Sequence, residues 1–210
     1  MSRYDAVDDY VYLGTTVLRN KANIRDQEAL DAFEADATAV RMLELWEQPI
    51  AGCFDFAHLC GIHRHLFQDV YEWAGEVRTV DISREGSRFA NASRIESYLA
   101  GALSKLPVEN WLRGLPPEPF VARLAHYMGE INATHPFREG NGRTQRVFCA
   151  LLAEQARYFI DFESVDQAQM YRVMMASFNG NALPLQALLL DTTSIIDRDA
   201  TEMWDERDEE

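Results

Sequence analysis

Apolar residues recur at helical spacing along most of the chain. From Asp26 onward, Leu30, Phe33, Ala37, Val40 and Leu43 fall on one helical face until Pro49 ends the run, the spacing that turns one side of a helix toward a core. Phe56, Leu59, Ile62, Leu66 and Val70 form a second stripe, with Asp55 placed to cap it. Ser93 and Glu96 make a capping box ahead of Ile95, Leu99, Ala102 and Leu106. A fourth helix is predicted from Pro117 or Pro119 through Phe120, Leu124, Tyr127 and Ile131. Three more run from about Gly142 to Ala156, from Ser164 or Asp166 to Phe178, and from Leu183 to Ile196. Seven helical patterns with no strands alternating between them predict an all-α domain.

One stretch breaks the pattern. Val77-Arg78-Thr79-Val80-Asp81-Ile82 has β-propensity, Arg84-Glu85-Gly86-Ser87 has turn chemistry, and Arg88-Phe89-Ala90 suits a returning strand. A lone hairpin is marginally stable and has to lean on helices or await a partner strand. On pattern alone the segment reads as a surface connection.

Composition narrows the function classes. The 210 residues hold 34 acids against 20 basic residues, a formal charge of -14, and 47% of them are hydrophobic. That supports a folded core, and residues 1–200 are expected to form a single domain. An acidic chain lacks the basic footprint that nucleic acid or an anionic membrane surface requires, so neither is expected as a partner. Cys53, Cys60 and Cys149 show no paired spacing and read as reduced, buried thiols. No apolar run reaches membrane-span length and the N-terminus carries no leader-like segment, so the expected location is cytoplasmic. Residues 201–210 hold six acids and read as a disordered, solvated tail.

The chemistry concentrates in residues 135–146, His-Pro-Phe-Arg-Glu-Gly-Asn-Gly-Arg-Thr-Gln-Arg, with three arginines and one acid. Gly140-Asn141-Gly142 leaves backbone N–H groups uncovered just before a predicted helix, and exposed amides at a helix N-terminus favour phosphate. Arg143 and Arg146, three apart, share the face of the first turn and can clamp further phosphate oxygens. Cations in a first turn oppose the helix dipole, which is a reason to expect an anion there. Glu139 then makes sense as a carboxylate for a divalent cation such as Mg²⁺. His135, with an unperturbed pKa of about 6.5, suits removal of a proton from an attacking hydroxyl. Phe137 reads as an anchor of the loop in the core.

This segment resembles the Fic family signature, His-x-Phe-x-[Asp/Glu]-Gly-Asn-Gly-Arg-x-x-Arg, at every defined position. It is unlike the altered form of Doc kinase-type proteins, which lack the Gly-Asn-Gly core. The resemblance extends to residues 12–27, to Arg64–Gly75 with the hairpin after it, and to the Asn179-Gly180-Asn181 turn. It implies a multi-helix bundle with a β-hairpin flap over the active site. The implied activity is protein adenylyltransfer, in which AMP moves from ATP to a Ser, Thr or Tyr hydroxyl of a target. On the family pattern His135 is the general base and Glu139 holds Mg²⁺. Gly140, Asn141 and Gly142 cradle the phosphates, Arg143 and Arg146 hold the β- and γ-phosphates, and Thr79 and Val80 lie near the nucleotide. The flap, about residues 77–90, would take the target's main chain by strand addition through Val80, Asp81 and Ile82. That gives the orphan hairpin a purpose and displaces its reading as a plain connection.

Many family members carry an inhibitory glutamate in the pattern [Ser/Thr]-x-x-x-Glu-[Gly/Asn]. Glu85-Gly86 follows Asp81 and Glu139-Gly140 follows His135, so neither fits. Inhibition is therefore expected in trans, from a small antitoxin-like helical protein meeting Arg146. Both a toxin and a secreted effector suit the resemblance. His58, Cys60, His63 and His65 invite a metal reading, but on a helix only positions 58 and 65 share a face, so they read as core and surface residues. The alternatives are transfer from another diphosphate donor (UMP, phosphocholine or phosphate transfer) and a non-catalytic toxin–antitoxin module. The intact His135 and Glu139 argue against the latter.

Overall fold

The computed structural model describes residues 8–84 and 87–197. The acidic 201–210 tail and the Glu85-Gly86 turn lie outside them. The described residues are mostly helical and group into two compact units. The first comprises residues up to Lys105 together with Glu130–Phe148; the second comprises Leu106–Gly129 and the chain from Cys149 onward.

The first unit opens with α1 (Gln27–Glu47), started by Asp26, whose carboxylate accepts from the Ala29 N–H at 2.9 Å. Its buried positions are Leu30, Glu34, Thr38 and Leu45, while Val40 and Leu43 are 58% and 65% exposed. The predicted stripe is therefore rotated, because polar partners described below draw Glu34 and Thr38 inward. Helix α2 (Phe56–Phe67) is capped by Asp55 as expected and buries His58, Leu59, Ile62, His63, Leu66 and Phe67.

The hairpin is shorter than its sequence suggests. Strand β1 (Ser83–Arg84) pairs antiparallel with β2 (Ser87–Arg88) in the register Ser83 to Arg88 and Arg84 to Ser87. Val77–Ile82 lies ahead of the strand. Helix α3 (Ile95–Leu103) follows a 3-10 turn, Ala92–Arg94. Asn91 caps that turn by accepting from the Ser93 N–H, so Ser93 does not start the helix as the capping box predicted. The Ser93 hydroxyl also donates to Asn91 Oδ1, so the serine is itself bonded within the turn.

Two helices run through the boundary between units: α4 (Pro117–Thr134) and α5 (Asn141–Gln155). The predicted α4 stripe of Phe120, Leu124, Tyr127 and Ile131 is buried throughout. In the second unit, Asp166 caps α6 (Gln167–Phe178), and α7 (Leu183–Thr192) follows. The helix predicted to reach Ile196 stops at Thr192. Thr193–Ile195 instead forms β4, antiparallel to β3 (Tyr158–Ile160), with Tyr158 opposite Ile195 and Ile160 opposite Thr193. Two β-branched residues in that segment suit a pleated edge better than a helix end.

All three cysteines are free thiols. Cys149 is buried, and burial pushes its pKa up to about 12, whereas Cys53 is exposed, contrary to its expected burial. Among the described residues no helix is long and apolar enough to cross a membrane.

Candidate active site

The loop between α4 and α5 lies wholly in the first unit and is built around a few fixed points. His135 leaves α4 in the left-handed region at φ 47°, while its N–H still donates to the Ile131 carbonyl at 2.9 Å. Its Nδ1 meets the Asn132 carbonyl at 3.2 Å, which requires Nδ1 to carry a proton; in the neutral ring the lone pair is then on Nε2. The ring stacks on Phe89, next to β2, with centroids 3.9 Å apart.

Three interactions hold the loop. The Asn141 side chain bridges the Phe137 backbone, accepting from its N–H and donating to its carbonyl, both at 2.8 Å. The Asn141 side chain is therefore committed to the loop, and the backbone N–H is the donor it keeps. The Phe137 ring, fully buried, stacks on His63 at 3.8 Å, which is the anchoring role its sequence context suggested. His63 accepts from the Gly75 N–H at Nδ1 (2.8 Å), so its Nε2–H donates to the Glu139 carbonyl (3.1 Å). Burial lowers the His63 pKa to about 3, so the ring is neutral and the tautomer is set.

Gly140 sits at φ 78°, and a Cβ there would lie 2.2 Å from Phe67 Cζ, so no other residue fits without displacing the ring. Its N–H donates to Glu139 Oε1 at 2.9 Å, and Glu139 is exposed. The N–H groups of Asn141, Gly142 and Arg143, in the first turn of α5, have no intrahelical acceptor. Of the expected Gly140–Asn141–Gly142 cradle, the Gly140 N–H is already spent on Glu139, so the open amides are displaced by one residue toward the helix.

The three arginines divide. Arg138 forms a buried ion pair with Asp8, 2.6 Å at its shortest, and so braces the loop. Arg143 reaches across to α1, where Nη2 donates to Glu34 and Nη1 donates to Thr38 Oγ1 at 3.0 Å. Its guanidinium also lies over the Phe67 ring at 4.8 Å. Arg146 is partly buried, and among the described residues no carboxylate forms an ion pair with it. Burial, then the Arg143 charge, lowers its pKa.

The flap residues Thr79 to Ile82 are held by side-chain partners ahead of the short hairpin. The Thr79 N–H donates to the Tyr10 hydroxyl, and the Val80 carbonyl accepts from Arg78 at 2.6 Å. Asp81 accepts from the Ala92 N–H, from Asn91 Nδ2 and from Arg88, and the Ile82 side chain is buried. Val80, Asp81 and Ile82 thus form the root of the hairpin and precede its paired strands. The paired strand begins only at Ser83, with the Phe89 N–H donating to the Ile82 carbonyl at 3.3 Å just ahead of it, so the strand expected over Val77–Ile82 is not formed.

Sequence reasoning passed over Arg78, which is 1% exposed. Its guanidinium donates to the carbonyls of Val80 and Ala90 in the flap, to that of Thr134 at the end of α4 and to that of His135 in the loop after it. Its own N–H donates to the Pro136 carbonyl. One buried cation thus ties flap to loop. An arginine within an otherwise apolar Val-x-Thr-Val stretch was the available signal. His63 and Glu34 were also missed, although both are polar residues at core-facing helical positions. Among the described residues no cluster of three or more His, Cys, Asp or Glu is arranged to hold a metal. An open hollow in the second unit, lined by Arg113, Leu115, Pro116, Glu154, Arg157 and Tyr158, contains none of the loop residues.

Comparison with known proteins agrees with the loop. The sequence profile of the Fic/DOC family matches residues 53–153. Protein adenylyltransferase VbhT of Bartonella schoenbuchensis is 43% identical over 90% of this chain, which spans only 40% of that longer protein. Probable protein adenylyltransferase y4lH of Sinorhizobium fredii is 41% identical over 89% of this chain and 97% of its own length. The N-terminal Fic domain of a putative cell filamentation protein of Bartonella quintana, solved with bound ADP, superposes with a TM-score of 0.84. It is 31% identical over 90% of this chain and 96% of that chain. With y4lH matched at 41% identity over nearly its full length, the chain belongs to the Fic/DOC family.

Proposed function

We propose that the chain is a protein adenylyltransferase, moving AMP from ATP to a hydroxyl side chain of a target protein. The observation that carries this is the single loop holding a tautomer-fixed His135 beside the amide cradle of α5. Adenylyltransferase names among the relatives, and ADP bound in the Bartonella quintana domain, support it.

His135 Nε2 takes the proton of a Ser, Thr or Tyr hydroxyl as its oxygen attacks the α-phosphorus. The bond from that phosphorus to the bridging oxygen breaks, giving adenylylated target and pyrophosphate. The amides of Asn141, Gly142 and Arg143 hold phosphate oxygens, and the Arg143 and Arg146 guanidiniums hold the β- and γ-phosphates. Mg²⁺, when bound, offsets phosphate charge. One exposed carboxylate, Glu139, suits an ion that takes most of its ligands from phosphate and water, and is the residue that would hold it. The flap next to His135 presents the target hydroxyl. With no carboxylate paired to it in the described residues, Arg146 is the docking point for an acidic side chain of a small helical inhibitor acting in trans. Action is in a cytoplasm, that of the producing cell or of a cell receiving the protein as an effector.

The test is incubation of the purified chain with Mg²⁺, α-labelled ATP and cell lysate. The expected outcome is labelled protein bands that disappear with His135→Ala. Bands that persist in that variant would contradict the assignment of the base.

A further inference from the structure

Helix α1 lies outside the 53–153 match, yet its most buried polar groups are spent on the catalytic loop. Glu34 is 9% exposed. One carboxylate oxygen accepts from Arg143 Nη2 and the other from the Tyr71 hydroxyl. Tyr71 is itself buried, stacked on Trp73 at 4.2 Å, and its pKa is raised by burial first and by Glu34 next, so it stays a donor. Thr38 completes the cluster. Its hydroxyl donates to the Glu34 backbone carbonyl at 2.7 Å and accepts from Arg143 Nη1 at 3.0 Å. Every member of this cluster has a defined donor or acceptor role.

Arg143 carries five N–H donors, and α1 takes one from Nη1 and one from Nη2, leaving three. The contact orients the guanidinium without exhausting it. Two further effects follow. An arginine is rotamer-rich, so holding it before a ligand arrives removes an ordering cost from binding. Arg143 also stands beside the partly buried Arg146, and the Glu34 carboxylate offsets the repulsion between two cations that must face one polyphosphate.

We infer that Glu34, with Thr38 and Tyr71, is a positioning residue for the terminal phosphates of the nucleotide, acting through Arg143. This rests on the nucleotide-handling reading above, but its readout is binding and not transfer. It differs from the family's inhibitory glutamate in its arginine, Arg143 in place of Arg146, and in leaving that arginine donors to spare.

The experiment compares AMP, ADP and a non-hydrolysable ATP analogue binding to the full chain by calorimetry, for wild type, Glu34→Gln and Thr38→Val, with melting curves for each. Glu34→Gln keeps the shape and the acceptor oxygen but removes the charge. Its expected effect is about a tenfold loss of affinity for the ATP analogue and for ADP, the scale of one charge-assisted hydrogen bond, with AMP affinity kept. Thr38→Val should shift affinities the same way by less. Equal losses for AMP and the ATP analogue would overturn the inference as a general folding effect. Unchanged affinities, or tighter binding of the analogue with faster transfer, would also overturn it, the latter by making Glu34 a blocker. A wild type that binds no nucleotide overturns it as well. If wild type binds ATP but transfers nothing, the adenylyltransferase reading fails while the affinity pattern still judges Glu34.

Discussion

At the scale of single residues, the site depends on buried polar groups whose protonation and partners are fixed. His63 is neutral in the folded chain because its pKa is depressed to about 3. In the unfolded chain it titrates near 6.5, so below that pH the unfolded state binds a proton that the folded state refuses. Stability from this group is full above about pH 6.5 and falls as pH drops toward the folded value, by about 2 kcal/mol between pH 7.5 and 5. His58, also lowered by burial, adds in the same direction. The check is a pair of urea titrations at the two pH values for wild type and His63→Gln, whose difference should remove this share of the loss; parallel pH dependence would refute it. Arg78 offers a second test. Lysine keeps the charge but lacks the fork that reaches four carbonyls, so Arg78→Lys should cost about 2–4 kcal/mol of stability. It should also slow transfer more than tenfold, since two of those carbonyls flank His135, the proposed base; wild-type-like melting and turnover would show the fork to be dispensable.

At the scale of elements, the flap and the catalytic loop share their anchors. Asp81 fastens the hairpin root to the turn before α3, and the Ala92 amide, first among its partners, lowers its pKa. Asp81→Ala should raise the KM for a target protein several-fold while leaving binding of an ATP analogue unchanged; an equal effect on both would place Asp81 in the nucleotide site instead. The helices were legible where a carboxylate cap met an apolar stripe, as at Asp26, Asp55 and Asp166. Three features were not. The α1 face turned because Glu34 and Thr38 find buried partners far away in sequence, which periodicity counts as polar and therefore outward. The β3–β4 ladder joins Ile160 to Thr193, a pairing no local pattern announces. The first flap strand was overextended because β-propensity in Val77–Ile82 could not anticipate the pull of Arg78 and Asp81 on the backbone.

At the scale of the whole molecule, a charge of -14 is compatible with phosphate chemistry because one nucleotide needs only a local cluster of donors. The loop signature was legible as a segment, and Gly140 and Asn141 answer to local geometry: a left-handed φ against Phe67, and a side-chain bridge to the Phe137 backbone. Its support was not, because Glu34, His63 and Arg78 serve it from separate elements. The measurement that tests the central claim most directly is parallel incubation of the chain and a target lysate with α-labelled and γ-labelled ATP. Protein labelled from the α position alone, and not by the His135→Ala variant, is the predicted result; label arriving from the γ position would contradict it.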